Sequence, residues 1–228
     1  MEDTLVKIAI MLVPGLMAIT FHEVAHGYIA YKFGDNTAKY MGRLTLNPIK
    51  HLSVIGTILI FLIGIGWAKP VPVNFNNLKN PKRDMIWVGV AGPVTNLILA
   101  TLSALLIRVL VPATEYLNSE TWVQMFINPF LLMLGFSVYI NVLLALFNMI
   151  PLPPLDGGRV LVGLLPYRQA EALSRIEPFG IFIIIFLVFF LNIFQYLAPV
   201  INMIIQILTG PHSQLVYSVT DILMRKGY

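Results

Sequence analysis

Long apolar runs separated by short polar loops dominate the pattern of this chain. Crossing a bilayer as a helix takes about 20 apolar residues. Three runs reach that length: Leu5–Tyr31, Met85–Val111 and Phe126–Ile150. A fourth run, Phe179–Leu197, is separated by Pro199 from a shorter apolar piece, Val200–Leu208, which we expect to pack back or to lie at the interface. Ser213–Lys226 predicts a short amphipathic helix. The pattern indicates an all-α polytopic membrane protein with about four to six transmembrane helices.

The segment between the first two spans breaks this pattern. Val54–Trp67 is apolar but too short for a helix to cross a hydrocarbon core of roughly 30 Å. Basic residues stand on both sides of it: Lys32, Lys39, Arg43 and Lys50 before it, and Lys69, Lys79, Lys82 and Arg83 after it. Because basic loops remain in the cytoplasm, we expect a re-entrant segment rather than a span.

Two stretches that flank this segment alternate in character. Arg43–Asn47 and Pro70–Phe75 have the alternation of short membrane-associated β-strands, although an ordinary cytoplasmic loop fits the same residues equally well. The loop Pro112–Gln124 carries two glutamates and no Lys or Arg, so we expect it outside. The first helix then runs from outside to the cytoplasm.

Composition agrees with a membrane protein. Of 228 residues, 57% are hydrophobic and 11% are charged, and the mean hydropathy is +0.80. A soluble domain carries about 25% charged residues. We expect one domain over residues 1–228, with a core over 5–165 and C-terminal helices over 177–226. The net charge of +4 is modest, and without a groove of alternating basic and aromatic residues no nucleic acid is expected as a partner.

A candidate metal motif lies inside the first apolar run, at His22-Glu23-Val24-Ala25-His26. On a helix, histidines at i and i+4 project from one face and can share a metal ion, while Glu23 can reach a water bound to it. This H-E-x-x-H arrangement is the signature of zinc hydrolases, in which the glutamate is the general base. A charged group at membrane depth costs about 2.5–3.5 kcal/mol, and a bound cation would offset that cost. We expect a retained span, since cleavage as a signal peptide would remove the histidines.

The motif supplies two ligands, whereas a catalytic zinc site normally has three protein ligands and a water. The chain has no cysteine, so the third ligand must offer nitrogen or oxygen. His51 and His212 lie in loop or tail regions, but Asp156 follows the third span in a run of prolines and glycines. Alone, Asp-Gly-Gly is typical of a turn or a helix N-cap. Beside an incomplete H-E-x-x-H motif, we favour Asp156 as the third ligand.

Three blocks in this order resemble the site-2 protease family of zinc intramembrane metalloproteases: Phe21–Gly27, Ala91–Asn96 and Asn148–Arg159. The stretch Gly66–Val73 is also similar to one found in the compact bacterial branch of that family. Many relatives carry a PDZ domain between the second and third blocks. The segment Arg108–Phe126 has no room for one, so the resemblance is to the compact type.

The resemblance implies one Zn²⁺ per chain and assigns roles to particular residues. The implied residues are His22, His26 and Asp156 for zinc, Glu23 and Asn148 for catalysis, and Gly92, Pro93 and Asn96 for substrate binding. The middle block also fits a simple helix kink, with Asn96 bonding the carbonyls that the kink releases.

The implied activity is that of a zinc-dependent intramembrane endopeptidase in the cell (inner or plasma) membrane. Its substrates would be single-pass transmembrane proteins or peptides, either membrane-tethered regulators or leftover signal peptides. The active site would lie within the lipid bilayer towards the cytoplasmic side. The extended segments between Gly42 and Phe75 would offer an edge to which an unwound substrate strand could add.

Two other functions fit parts of the pattern. A membrane metal-ion transporter would use the histidines as a transient site, but transporters usually show internal repeats and polar groups across several spans. This chain has no visible repeat, and its polar groups gather in two motifs. A non-proteolytic zinc-binding membrane protein would not need Glu23. The protease is therefore the favoured hypothesis.

Overall fold

The computed structural model describes residues 2–54, 56, 68–114 and 123–224. The α-helices, in chain order, are α1 (Glu2–Lys32), α2 (Thr37–Tyr40), α3 (Pro81–Thr114), α4 (Asn128–Asn148), α5 (Asp156–Leu164), α6 (Tyr167–Ser174), α7 (Gly180–Phe189), α8 (Ile193–Thr209) and α9 (Ser213–Met224). Short 3₁₀ turns lie at Pro48–His51, Phe75–Asn77, Glu177–Phe179 and Gly210–His212, and a π-helical turn, Val123–Ile127, leads into α4.

Within the described part of the chain, four helical stretches are long and apolar enough to cross a bilayer: Lys7–Lys32, Pro81–Thr114, Met125–Asn148 and Ile193–Asp221. Tyr167–Phe179 and Phe182–Phe189 meet the same test only together, as a pair bent by 75°. The protein is therefore an all-α, multi-pass membrane protein, as the hydrophobic pattern predicted. The first three predicted spans correspond to α1, α3 and α4, and the predicted tail helix corresponds to α9.

The prediction of a fourth span over Phe179–Leu197 was wrong. Helix α7 ends at Phe189, and Asn192 has a positive φ of 46°, a left-handed conformation that interrupts a helix. Helix α8 then runs without a break through Pro199, which was expected to separate two pieces. A proline inside a helix removes one backbone hydrogen bond but does not always end the helix.

The predicted strands Arg43–Asn47 and Pro70–Phe75 are also absent, since no β-ladder forms among the described residues. A single antiparallel bridge joins Leu52 to Ala68. Prolines 70 and 72 carry no N–H group and so cannot donate to a ladder. Most of the predicted re-entrant segment, residues 55 and 57–67, lies outside the described residues, so that assignment stays a prediction.

The chain divides into two compact units. The first comprises Met1–Ala18, Asn96–Leu146 and Phe194–Tyr228, and the second comprises Ile19–Thr95 and Phe147–Ile193. The expectation of a single domain over residues 1–228 stays a prediction.

The first unit has an apolar core built from residues about one helical turn apart. Its buried members include Ala100, Ala104 and Ile107 of α3, Leu131, Leu134, Val138 and Val142 of α4, and Ile201 and Ile205 of α8. Small residues such as Ala100 and Ala104 allow helix backbones to approach closely, which is how helices associate in membranes. Elsewhere on α3, Leu102 and Val109 are exposed, and a bilayer would cover them.

The buried carboxylate of Asp35 links two segments of the second unit. It accepts hydrogen bonds from the Thr37 backbone N–H and hydroxyl at 3.1 and 2.5 Å, from the Asn74 N–H at 2.7 Å and from Asn77 Nδ2 at 3.0 Å. These bonds join the turn after α1 to the segment that leads into α3. Burial alone would raise the pKa of Asp35, but the hydrogen bonds outweigh it and hold the pKa below its ordinary value.

Candidate metal centre

Helix α1 presents the two histidines of the H-E-x-x-H motif on one face. His22 and His26 are buried, and their Nε2 atoms lie 3.0 Å apart. The i, i+4 spacing places the two side chains one above the other, as the sequence predicted.

Helix α5 brings the carboxylate to the same place. The chain turns after α4 and enters α5 at Asp156, where a Cβ on the next residue, Gly157, would collide with the carbonyl oxygens of Met149 and Ile150. Only glycine fits this close approach of the turn to the end of α4. Helix α5 also lies tight against α3, since a Cβ on Gly163 would collide with the Ile86 side chain. These contacts fix the position of Asp156.

The three side chains converge on one point. Asp156 Oδ2 lies 3.0 Å from His22 Nε2 and 3.2 Å from His26 Nε2, so one nitrogen from each histidine and one oxygen form a compact triangle. All three residues are buried, and together they form a group that could hold a metal ion. Among the described residues, Asp156 Oδ2 has no hydrogen-bond donor apart from these imidazoles. Arg159 Nη1 lies 3.7 Å from the other carboxylate oxygen, Oδ1, but a buried oxygen in the situation of Oδ2 is costly unless a cation also lies beside it.

The tautomer of His26 also supports a metal site at these three side chains. Its Nδ1 lies 2.6 Å from the carbonyl oxygen of Val88, and since a carbonyl can only accept, Nδ1 must carry the proton. In neutral His26 the Nε2 lone pair then faces Asp156, as it would face a metal. Metal-bound histidines almost always donate their other N–H in this way. Two imidazole nitrogens and a carboxylate oxygen are a donor set that suits zinc.

Gly92 of α3 leaves room for the imidazoles. A Cβ at this position would lie 2.6 Å from His22 Nε2 and would collide with His26 Nε2. The resemblance assigned Gly92 to the substrate. The structure places it directly against the two histidines, and its role towards substrate stays a prediction.

Glu23 is half-buried and does not join the triangle of ligand atoms. Its Oε2 accepts a hydrogen bond from the backbone N–H of Val71 at 2.7 Å. The general base predicted from the motif is thus held by a segment 48 residues further along the chain.

The other predicted site residues lie in different surroundings. Asn148 is half-buried at the end of α4, and Pro93 follows Gly92 inside α3. Asn96 is fully buried, and its Nδ2 donates to Ala18 O at 3.2 Å and to Asn141 Oδ1 at 2.7 Å. These bonds connect α3 to α1 and α4, so Asn96 has a clear interhelical role. Its role towards substrate stays a prediction.

Two contacts of the site were not predicted from the sequence. The Val88 carbonyl, which orients His26, is a backbone group, and every residue has one. The residue pattern therefore could not predict this contact. The sequence does single out the Val71 N–H, because Val71 lies between Pro70 and Pro72 and is the one backbone donor among these three residues.

Comparison with known proteins agrees with this site. The family model of Peptidase family M50 matches residues 9–191. “Putative zinc metalloprotease YwhC” of Bacillus subtilis (strain 168) is 45% identical over 181 residues, which cover 78% of this chain and 78% of the relative. A Mycolicibacterium smegmatis protein of the same description, Rip2, is 29% identical over 188 residues, or 80% of this chain and 68% of the relative. Another, MJ0611 of Methanocaldococcus jannaschii, is 30% identical over 145 residues, or 62% and 63% of the two chains. No solved structure matches the chain.

The apolar helices and the buried two-histidine, one-carboxylate group define a multi-pass zinc metalloprotease of the membrane. The chain belongs to Peptidase family M50, the site-2 protease family, whose members cleave membrane proteins in the bilayer. Its cofactor is Zn²⁺, and the resemblance seen in the sequence is confirmed.

Proposed function

We propose that His22, His26 and Asp156 hold one zinc ion and that Glu23 is the general base of an intramembrane endopeptidase. The observation that carries this proposal is the convergence of His22 Nε2, His26 Nε2 and Asp156 Oδ2 within 3.2 Å of one another in a buried place. When bound, zinc lowers the pKa of a water and polarises the scissile carbonyl.

The residues of the chain divide the remaining work. Glu23 takes a proton from the attacking water and returns it to the leaving amine. Val88 holds His26 in the tautomer that leaves Nε2 available. Asn148 would donate a hydrogen bond to the developing oxyanion, a contribution typically worth about 3 kcal/mol. Gly92 leaves space for the imidazoles, and Gly92, Pro93 and Asn96 together shape α3 beside the substrate.

The substrate class follows from the location of the site. His22 and His26 lie on an apolar span, so a peptide bond that reaches them comes from another membrane segment. We propose single-pass proteins or peptides as substrates, either membrane-tethered regulators or remnants of signal peptides. The loop charges support a site in the cell membrane towards the cytoplasmic side. Nothing in the described structure or in the family favours a metal transporter.

The test is to purify the protein in detergent, measure zinc per chain and follow cleavage of a panel of single-span substrates. Wild type and E23Q should each bind about one zinc, and only wild type should cleave, because Glu23 is not a ligand. The variants H22A and D156A should lose both zinc and activity. Cleavage by E23Q at the wild-type rate would remove Glu23 from its proposed role, and full zinc binding by D156A would remove Asp156.

A further inference from the structure

The run Lys69-Pro70-Val71-Pro72-Val73 offers one backbone donor at its centre. Proline has no N–H group, so between Lys69 and Val73 only Val71 can donate a backbone hydrogen bond. That single N–H donates to Glu23 Oε2 at 2.7 Å. A free extended strand would leave this donor for a partner strand, whereas here the side chain of the general base takes it.

The run is fastened at both ends. The Lys69 N–H donates to the His51 carbonyl at 2.8 Å, and Arg43 donates to the Lys69 carbonyl at 2.8 Å. On the other side, the Asn74 N–H donates to buried Asp35 at 2.7 Å. Two prolines restrict the backbone in between. The Val71 N–H is therefore delivered to a fixed place.

The Val71 side chain seats the run on α1. Val71 is 6% exposed, and its Cγ1 would lie 2.7 Å from a Cβ on Gly27. Gly27 follows Glu23 by one helical turn, so the two lie on the same face of α1. The absence of a side chain at Gly27 allows the run to come close enough for Val71 to reach Glu23.

We propose that the backbone N–H of Val71 is a positioning group for the general base. A glutamate side chain on a helix has several rotamers, and a charge-assisted hydrogen bond to a fixed donor selects one of them. The bond occupies Oε2 and leaves Oε1 for the proton of the attacking water. This inference rests on the proposed role of Glu23.

The contact itself is tested without any substrate. Hydrogen exchange is followed by mass spectrometry in a fragment covering residues 68–74, whose central amides are those of Val71 and Val73 because the prolines contribute none. The variant E23A removes the acceptor, so exchange should become about 10-fold faster or more. This factor corresponds to the free energy that a hydrogen bond to a charged group contributes. E23Q keeps an acceptor oxygen and should retain most of the protection. Equal exchange in wild type and E23A would overturn the proposal.

The positioning role is tested with three variants. V71P removes the N–H and should lower kcat about 10-fold or more, with KM and zinc content unchanged. V71A keeps the N–H, and its kcat should stay within about threefold of wild type. A loss of that size is typical of a small change in packing. V73P places a proline two residues away at an N–H without a hydrogen-bond partner among the described residues, and should behave like wild type.

The remaining outcomes also decide. Equal losses in V71P and V71A would assign the effect to side-chain packing and overturn the proposal. A higher kcat in V71P would show that the contact restrains the enzyme and would overturn it as well. If V71P does not fold, the exchange comparison of wild type with E23A decides. A wild type that binds zinc but cleaves nothing would overturn the proposed function and leave the Val71–Glu23 contact to be judged by exchange alone.

Discussion

At the scale of single residues, the proposed metal centre requires the absence of a side chain at position 92 as well as its three proposed ligands. Gly92 faces both imidazoles, and a methyl group there would overlap with them. The sequence singled out Gly92 only through a motif, as a substrate contact, because the residue pattern does not show what a glycine faces. The structure gives the position a physical reason and a direct test.

We predict that G92A loses zinc. The added Cβ would overlap with the rings of His22 and His26 and would force them to move apart or to turn. The two Nε2 atoms would then no longer have the geometry that zinc requires. Zinc per chain, measured by atomic absorption after dialysis, should fall by about 10-fold or more, comparable to the loss of a ligand-orienting partner. The matched control is G15A. Gly15 lies on α1, the helix that bears both histidines, and a Cβ at this position meets nothing within 4 Å. Full zinc occupancy in G92A would contradict this account of Gly92.

The stability of the second unit should depend on the charge of Asp35. Its folded pKa lies below the ordinary value, so the carboxylate stabilises the fold fully at pH above that ordinary value, and the contribution is lost as pH falls through the lowered pKa. We predict that D35N lowers stability at pH 7 by about 2 kcal/mol, because the amide can accept fewer of the bonds.

The measurement is thermal unfolding in detergent as a function of pH. The gap between wild type and D35N should be constant near neutrality and should narrow only in strong acid. The control is E171Q, which removes an exposed carboxylate paired with Arg175 and should change stability by less than about 0.5 kcal/mol. A gap that widens as pH falls would contradict the sign of the pKa shift.

At the scale of elements, hydrophobic runs predicted α1, α3 and α4 because length and composition alone decide whether a helix can span a membrane. The same reasoning failed at the fourth span. A break at Asn192 depends on one left-handed residue inside an apolar run, and a proline tolerated at position 199 depends on the surroundings of α8. The strand prediction failed for a related reason, since alternation does not reveal which partners the N–H groups of residues 69–74 bond.

We predict that Asn96 and Asn141 are energetically coupled. Their side chains are hydrogen-bonded at 2.7 Å between α3 and α4, and such bonds in membranes are worth about 0.6–1.7 kcal/mol. A double-mutant cycle of N96A and N141A, read by unfolding in detergent, should give a coupling of that size. The control cycle pairs N141A with T101A, because the Thr101 hydroxyl bonds only within its own helix among the described contacts, to Leu97 O. A coupling of zero in the cycle of N96A and N141A would contradict this account of the bond between the two side chains.

At the scale of the whole molecule, the predicted topology requires that the chain does not cross the membrane between α1 and α3. The chain contains no cysteine, so each introduced cysteine reports one position. Lys50 and Lys79 are exposed and lie on either side of the apolar segment Val54–Trp67. If this segment is re-entrant, both positions are cytoplasmic, as the positive-inside rule requires.

We predict that K50C and K79C resist a membrane-impermeant maleimide in intact cells and react after permeabilisation, while E115C reacts in intact cells. R168C should behave like the first two, because the arginines after the third span place that region on the same side. The cysteine-free wild type gives the background. Opposite behaviour of K50C and K79C would show that the segment crosses the membrane. It would also place the loops that carry Arg43 and Lys69 on different sides, although Arg43 donates a hydrogen bond to the Lys69 carbonyl at 2.8 Å. That contact favours the re-entrant arrangement, since two loops on opposite sides of a bilayer cannot be hydrogen-bonded to each other.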